Sequence, residues 1–327
     1  MRARRPRSRP HPLGRRRSRE PSASPSVTSS IAVVGSLNLD IVVPVARHPR
    51  PGETVLGGDS VRTPGGKGAN QAVAAARLGG DVVMIGRVGA DDAGRQLKDA
   101  LAEAGLEAGR VAVTEGVPTG IALIAVDAAG ENTIVVSPGA NAHFSSTDVE
   151  AAVEAIGDAA VTVLQLEVPV AAVIAAAQAS PGVVILNPAP AQEVPDELLD
   201  GVDVLVPNRG ELGALLGEEA PDDLDAIAAL ARRFEEPTTV VVTLGSQGAL
   251  VVDATDALHI KPFEVTPVDT TAAGDAFCGA LAEAFARGES IEAAARWAAA
   301  AGALAVTRPG AQASLPTRAE VEELVRS

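Results

Sequence analysis

Six short apolar runs separated by alanine-rich stretches constrain this 327-residue chain more than any other feature. The runs are Ile31–Gly35, Val82–Ile85, Val161–Leu166, Val183–Leu186, Val202–Val206 and Thr239–Val242. Each is continuous rather than alternating, the pattern of a strand buried on both faces. Between most of them, Asn70–Leu78, Asp92–Ala104, Asp148–Ile156, Val170–Gln178 and Asp222–Phe234 carry helical spacing. Such an alternation predicts an α/β body whose mostly parallel sheet is covered by helices on both faces.

Two regions break the rhythm. Leu39–Val45 and Thr54–Val61 are strand-like pieces around a turn holding Pro49, Pro51 and Gly52. Thr119–Val126 and Asn132–Val136 flank Ala128-Ala129-Gly130-Glu131, a hairpin turn. Both pairs are expected to be antiparallel. The two excursions, about residues 39–62 and 118–137, predict a small β-sheet lid on the body. No internal repeat or linker divides the chain, so residues 31–327 read as one domain.

Composition narrows the function classes. Aromatic residues make up 2% of the chain (five Phe, one Trp, no Tyr), so its core is built from Ala, Val, Leu and Ile. A base-stacking nucleic-acid platform is not expected from so few rings. The first 20 residues hold nine arginines and one acid, a net +8, which leaves −23 on the rest of a chain of net −15. An acidic body disfavours non-specific nucleic-acid binding. A Pro/Ser run from Glu20 to Ser30 follows the arginines, so residues 1–30 read as a disordered tail; docking on an anionic surface is the other reading. Cys278 is the only cysteine, which fits a reducing compartment and precludes an intramolecular disulfide. No apolar stretch follows Arg15–Arg17 as an export signal would require, and Trp297–Val306 falls far short of a membrane span. The expectation is a soluble, cytoplasmic protein that binds neither nucleic acid nor membrane.

Two glycine-rich segments carry chemistry. Thr63-Pro64-Gly65-Gly66-Lys67-Gly68-Ala69-Asn70-Gln71 opens a helix, where small residues admit a ligand and the helix N-terminus favours anions. It lacks the spacer and the Ser/Thr of a Walker A loop, and alone it reads equally as a helix-opening turn with Lys67 solvated. Pro267-Val268-Asp269-Thr270-Thr271-Ala272-Ala273-Gly274-Asp275 leads into the apolar helix Ala276–Arg287. Free N–H groups of Ala273, Gly274 and Asp275 aimed into one concavity would suit a phosphoryl group gaining charge. Asp275 reads either as a helix-end carboxylate or as the acceptor of a proton from an attacking hydroxyl.

The turn after the first run, Gly35-Ser36-Leu37-Asn38-Leu39-Asp40, is not G-x-G-x-x-G, which argues against a dinucleotide oxidoreductase. Asn38 and Asp40 share one side of an extended segment and either grip vicinal hydroxyls or line an exposed edge. Gln165 with Glu167, Asn208 with Glu211, and Thr243–Gly248 follow three further apolar runs. Ligands bind at the carboxyl ends of parallel strands.

Taken together, these residues resemble the ribokinase family of carbohydrate kinases (the PfkB superfamily) from about Ile31 to Ser314. Both signatures are present, Gly65–Gly79 and Asp269–Phe277. Gly66-Lys67-Gly68-Ala69-Asn70, Leu186-Asn187-Pro188-Ala189-Pro190-Ala191, Asn208 with Glu211, and Thr307–Gln312 lean to the ribokinase branch. The resemblance implies a ribokinase-like three-layer α/β/α sandwich with a β lid, transferring phosphate from ATP to the 5-hydroxyl of D-ribose. By it, Asn38, Asp40, Gly66, Lys67, Gly68, Asn70 and Glu167 would hold the sugar. Asp275 would be the base, beside an anion hole at Ala273 and Gly274. Asn208, Thr243, Gly245, Ser246, Gly248 and Gly274 would line the ATP site, with adenine among aliphatic side chains. Mg²⁺ would accompany ATP. A K⁺ ion would sit at Asp269, Thr271, Ala305, Arg308, Gly310 and Ser314, largely on backbone carbonyls, and two copies would pair through their lids. Ala299 departs from the polar residue expected near the nucleotide, and the arginine-rich tail has no counterpart in the family pattern. Another sugar or nucleoside kinase of this family (deoxyribokinase, fructokinase-like or nucleoside kinase) is the alternative, and a non-catalytic sugar-binding regulator a remote one.

Overall fold

In the computed structural model, which describes residues 30–237 and 239–327, the apolar runs become the centre of a nine-stranded sheet. The chain runs through β1 (Ser30–Val34), β2 (Asn38–Pro44), β3 (Val61–Gly65), α1 (Lys67–Arg77), β4 (Asp81–Gly89) and α2 (Asp92–Glu103). β5 (Val111–Thr114), β6 (Gly120–Val126), β7 (Asn132–Ser137), α3 (Ser146–Ala151), α4 (Val153–Gly157), β8 (Val161–Leu164) and α5 (Val170–Ala179) follow. Next come β9 (Val183–Leu186), α6 (Asp196–Leu199), β10 (Val204–Leu205), α7 (Arg209–Leu216), α8 (Leu224–Ala231) and β11 (Thr239–Thr243). The last elements are β12 (Ala249–Val252), β13 (Ala257–Ile260), α9 (Ala273–Ala286), α10 (Ile291–Ala305) and α11 (Arg318–Arg326).

The main sheet has the order β13-β12-β11-β10-β9-β8-β1-β4-β5. Strands β11 through β5 are parallel, and β12 and β13 are antiparallel additions at one edge. β1 lies between β8 and β4, so successive connections diverge from it and leave a crevice at its carboxyl end. Alternate residues of β1 serve opposite cores: Ile31 and Val33 face α1, α9 and α10, while Ala32 and Val34 face α3, α5 and α8. Alanine-rich surfaces let the helices come close. A Cβ at Gly279 of α9 would lie 2.5 Å from the Gln71 carbonyl and 2.6 Å from the Ala74 Cβ of α1, a contact only glycine permits.

The second sheet, β3-β2-β6-β7, is the expected lid, with β2–β3 and β6–β7 antiparallel and β2–β6 parallel. One expected strand is corrected. Of the expected Thr54–Val61, only Val61 is in a strand and Gly57 makes an isolated bridge; the strand beside β2 is Val61–Gly65, running into the glycine motif itself. Pro64 is tolerated there because β3 is a sheet edge. The helix expected over Asp148–Ile156 is interrupted at Ala152. Ser30 already belongs to β1, and the tail expected over the preceding residues lies outside the described ones. Among the described residues no helix is long and apolar enough to cross a membrane.

Candidate active site

The crevice beyond β1 collects side chains from both glycine-rich segments. α9 begins behind Ala272, the one non-glycine residue of positive φ among those described (φ 59°). That left-handed conformation costs about 1–3 kcal/mol and is typical of functional turns. Of the three N–H groups expected to be free, Ala273 donates to the Thr270 carbonyl at 3.3 Å, because the turn closes one residue earlier than the motif suggests. Gly274 and Asp275 keep theirs unspent among the described residues.

Asp275 is 6% exposed. Its carboxylate does not bond its own helix. Oδ2 accepts from Asn70 Nδ2 at 3.0 Å and Oδ1 from Gln71 Nε2 at 3.0 Å. Both donors sit in the first turns of α1, so one glycine motif positions the carboxylate of the other.

The lid supplies Asn38 and Asp40 on β2, both buried. Asn141 accepts from the Leu37 N–H, donates to the Leu37 carbonyl, and donates to Asn38 Oδ1 at 2.8 Å. Glu167 Oε2 accepts from Ser36 Oγ, from the Lys67 N–H at 3.1 Å and from Asn38 Nδ2 at 3.5 Å. The glycines serve this closure directly. A Cβ at Gly66 (φ 89°) would stand 2.6 Å from the Asn38 nitrogen, and one at Gly68 2.6 Å from the Ser36 nitrogen. It is the chain's own 36–38 segment that approaches the glycine backbone.

Among the described residues no donor reaches the Asp40 carboxylate, and burial, with Glu167 and Asp275 nearby, raises its pKa to about 7. Burial opposes the charge on Lys67, but Asp275, Glu167 and Glu211 outweigh it and hold the ammonium above its ordinary pKa. Glu211 is raised by burial, against the Asn208 N–H and Lys67, which favour its charge.

A cleft of about 200 Å³ adjoins Asp275, walled by Lys67, Asn187, Ala189, Val206, Asn208, Glu211, Thr243, Thr270, Ala272, Gly274 and Cys278. No aromatic ring lines it. Asn208 Oδ1 caps α7 by accepting the Glu211 N–H at 2.8 Å, and Glu211 reaches back to the Asn208 N–H. Gly245, Ser246 and Gly248 form the turn after β11, just beyond the cleft wall.

The residues expected around a cation come together in part. Asp269 Oδ1 accepts the Thr271 N–H at 2.9 Å and Oδ2 the Gly310 N–H at 2.8 Å, joining the loop before α9 to the loop after α10. Against the effect of burial, these bonds hold Asp269 below the usual carboxylate range. Ser314 Oγ donates to the Ala311 carbonyl at 2.9 Å. The Arg308 side chain leaves this group and pairs with Glu320, and Ala305 is in the last turn of α10.

The sequence reading gave no role to Asn141, Ser36, Gln71 or Asn187. Gln71 and Asn187 stood inside quoted motifs, and that was their one signal; Asn141, in an irregular segment after β7, had none.

A family model described as pfkB family carbohydrate kinase matches residues 28–318. The chain belongs to this family. The pfkB kinase described here is 41% identical to a ribokinase of Haemophilus influenzae over 300 residues, 90% of this chain and 98% of the relative. A crystal structure of a ribokinase from Thermotoga maritima superposes with a TM-score of 0.84 at 37% identity, covering 91% of this pfkB chain and 99% of the other. A ribokinase structure from Arabidopsis thaliana, complexed with ribose and ATP, gives 0.84 at 33% identity and covers 91% and 98%.

Proposed function

We propose that this pfkB kinase transfers the γ-phosphoryl group of ATP to the 5-hydroxyl of D-ribose, with Asp275 as the general base. The observation that carries the reading is the crevice itself. A buried carboxylate, two unspent N–H groups and a positively charged lysine converge on one side, and a hydroxyl-seeking carboxylate, Asp40, closes from the lid. Asp40 and Asn38 would hold ring hydroxyls, Asn70 and Glu167 would fix the sugar's orientation, and Gly66, Lys67 and Gly68 would form its floor. The terminal hydroxyl gives its proton to Asp275 as its oxygen bonds to the γ-phosphorus, and the bond to the ADP oxygen breaks. A positioned base contributes roughly 10²–10⁴-fold. Lys67 and the N–H groups of Gly274 and Asp275 face the charge that develops.

Asn208, Thr243, Gly245, Ser246, Gly248 and Gly274 would line the nucleotide, with Ala189 and Val206 offering aliphatic surface to the base. Among the described residues no three acidic, His or Cys side chains form a metal cluster, which suits a Mg²⁺ carried chiefly by phosphates and water. Glu211, on the cleft wall, would be a carboxylate to hold such an ion, which would neutralise phosphate charge. The ionised Asp269, joined to Thr271 and Gly310, suits a K⁺ that would add fixed positive charge beside the anion hole, with Ala305, Arg308 and Ser314 as further candidate donors. ATP chemistry and a single buried Cys278 suit a cytoplasmic enzyme.

A dimer through the lids is part of this reading. Val61, Ile134 and Val136 are 44–56% exposed and share the lid face that carries Asp40. Asp275→Asn tests the base: the variant is expected to bind ribose and ATP calorimetrically and to lose nearly all turnover. Normal turnover in that variant would refute the mechanism.

A further inference from the structure

Behind Asp275 lies a chain of buried amides that runs from Gln165 through Gln71 to Asn187 on the cleft wall. Gln165 Nε2 donates to Gln71 Oε1 at 2.6 Å. Gln71 Nε2 donates both to Asn187 Oδ1 at 3.2 Å and to Asp275 Oδ1 at 3.0 Å. Asn187 Nδ2 donates to the Val206 carbonyl at 2.9 Å. Gln71 and Gln165 are wholly buried, and Asn187, 8% exposed, borders the cleft.

The direction of every link follows from one end. A backbone carbonyl only accepts, so Asn187 must aim its NH₂ at Val206 and its oxygen at Gln71. Gln71 must then present its NH₂ to Asn187 and to Asp275, and its oxygen to Gln165. Gln165 in turn must present its NH₂, and its own oxygen is buried with no partner among the described residues. A Cβ at Gly35 would fall 1.9 Å from that oxygen.

We infer that Gln71 is a positioning residue for phosphoryl transfer, supplying Asp275 with an N–H whose direction is dictated by the Val206 carbonyl through Asn187 and backed by Gln165. With Asn70 on Oδ2 and Gln71 on Oδ1, the carboxylate cannot rotate, and its remaining lone pairs face the crevice where the sugar hydroxyl arrives. The inference rests on Asp275 acting as the base. Lys67 of α1, Asp40 of β2, Glu211 of α7 and Cys278 of α9 are the other titratable groups around Asp275, and Glu167 after β8 acts on Asp40 and Lys67. None of them replaces the Gln71 N–H.

The test is steady-state kinetics with ribose and ATP across the pH range for wild type, Gln71→Met and Gln165→Met. Gln71→Met keeps the volume and removes the donor. Its kcat is expected to fall about 10²-fold, the size of effect that misplacing a reacting group produces. Both KM values should stay near wild type, and the acidic limb of kcat should move to higher pH, because a carboxylate that loses a donor holds its proton longer. Gln165→Met should shift both readouts the same way by less, since Asn187 still aims Gln71. An unchanged kcat, a lower kcat with an unmoved pH profile, or a raised ribose KM at constant kcat would each overturn the inference. If Gln71→Met does not fold, Gln165→Met decides alone, by the same criteria. A wild-type enzyme with no ribose-dependent ADP release would instead overturn the proposed function, and separates the two failures.

Discussion

At the scale of residues, the site is a set of carboxylates given different surroundings. Asp275 is held by two amides, Asp269 by two backbone N–H groups, and Asp40 by none among the described residues. Asp40 therefore carries a testable sign. Its pKa rises from 3.8 to about 7 on folding. Between those values the folded chain holds a proton that the unfolded chain has released, so stability falls as pH rises and the loss is complete above about 7. Asp40→Asn is expected to melt higher than wild type on the alkaline side of neutrality and to bind ribose weakly. If Asp40 holds the sugar as proposed, hydroxyls would donate to its ionised form, and the ribose KM should drop as pH rises through about 7. Melting curves of the two proteins that stay parallel across pH would contradict this. Asp275, Lys67 and Asn70 were legible because each stands in a contiguous motif. Gln165 was legible only as a polar residue at a strand end; the links from Gln71 to it and to Asn187, 94 and 116 positions away in sequence, were not, because no local pattern joins them.

At the scale of elements, the buried strands and the β6–β7 hairpin are legible in the sequence, whereas the partner of β2 and the break at Ala152 are not. The buried strands announce themselves as continuous apolar runs, since both faces are covered. β5 and β13 are edge strands that mix exposed with buried positions, and β12, though apolar and buried, follows the Gly245–Gly248 turn so closely that no helical stretch sets it off from β11. The lid strand after β2 was placed too early because the glycine motif looks like a loop, yet the register Asn38↔Gly65 through Val42↔Val61 makes it the partner of β2. The helix pair α1–α9 matters most for the site, because it sets Asn70 and Gln71 against Asp275. Gly279 is its closest contact, so Gly279→Val should overpack the interface by about 1–3 kcal/mol. The expected result is a lower melting temperature together with lower kcat, read by thermal unfolding and turnover. An unchanged melting temperature would mean the two helices are not locked there.

At the scale of the whole molecule, a nine-stranded body presents one crevice and a four-stranded lid bends over it. The apolar lid surface continues past the site. Row Thr63–Asp40–Ala122–Val136 carries the buried Asp40 at one point and an exposed valine at its end. A second copy covering that face would finish the enclosure. Light scattering at micromolar concentration should give a dimer for wild type and a monomer for Ile134→Asp, and a monomeric wild type would count against the lid contact. The sugar's identity is the one property neither the fold nor the exposed surface reads out, since a single hydroxyl separates several candidates. The central claim therefore comes down to ATP turnover measured side by side with ribose, 2-deoxyribose, fructose and adenosine. The account predicts the highest kcat/KM for ribose, and a chain that prefers any of the other three would contradict it.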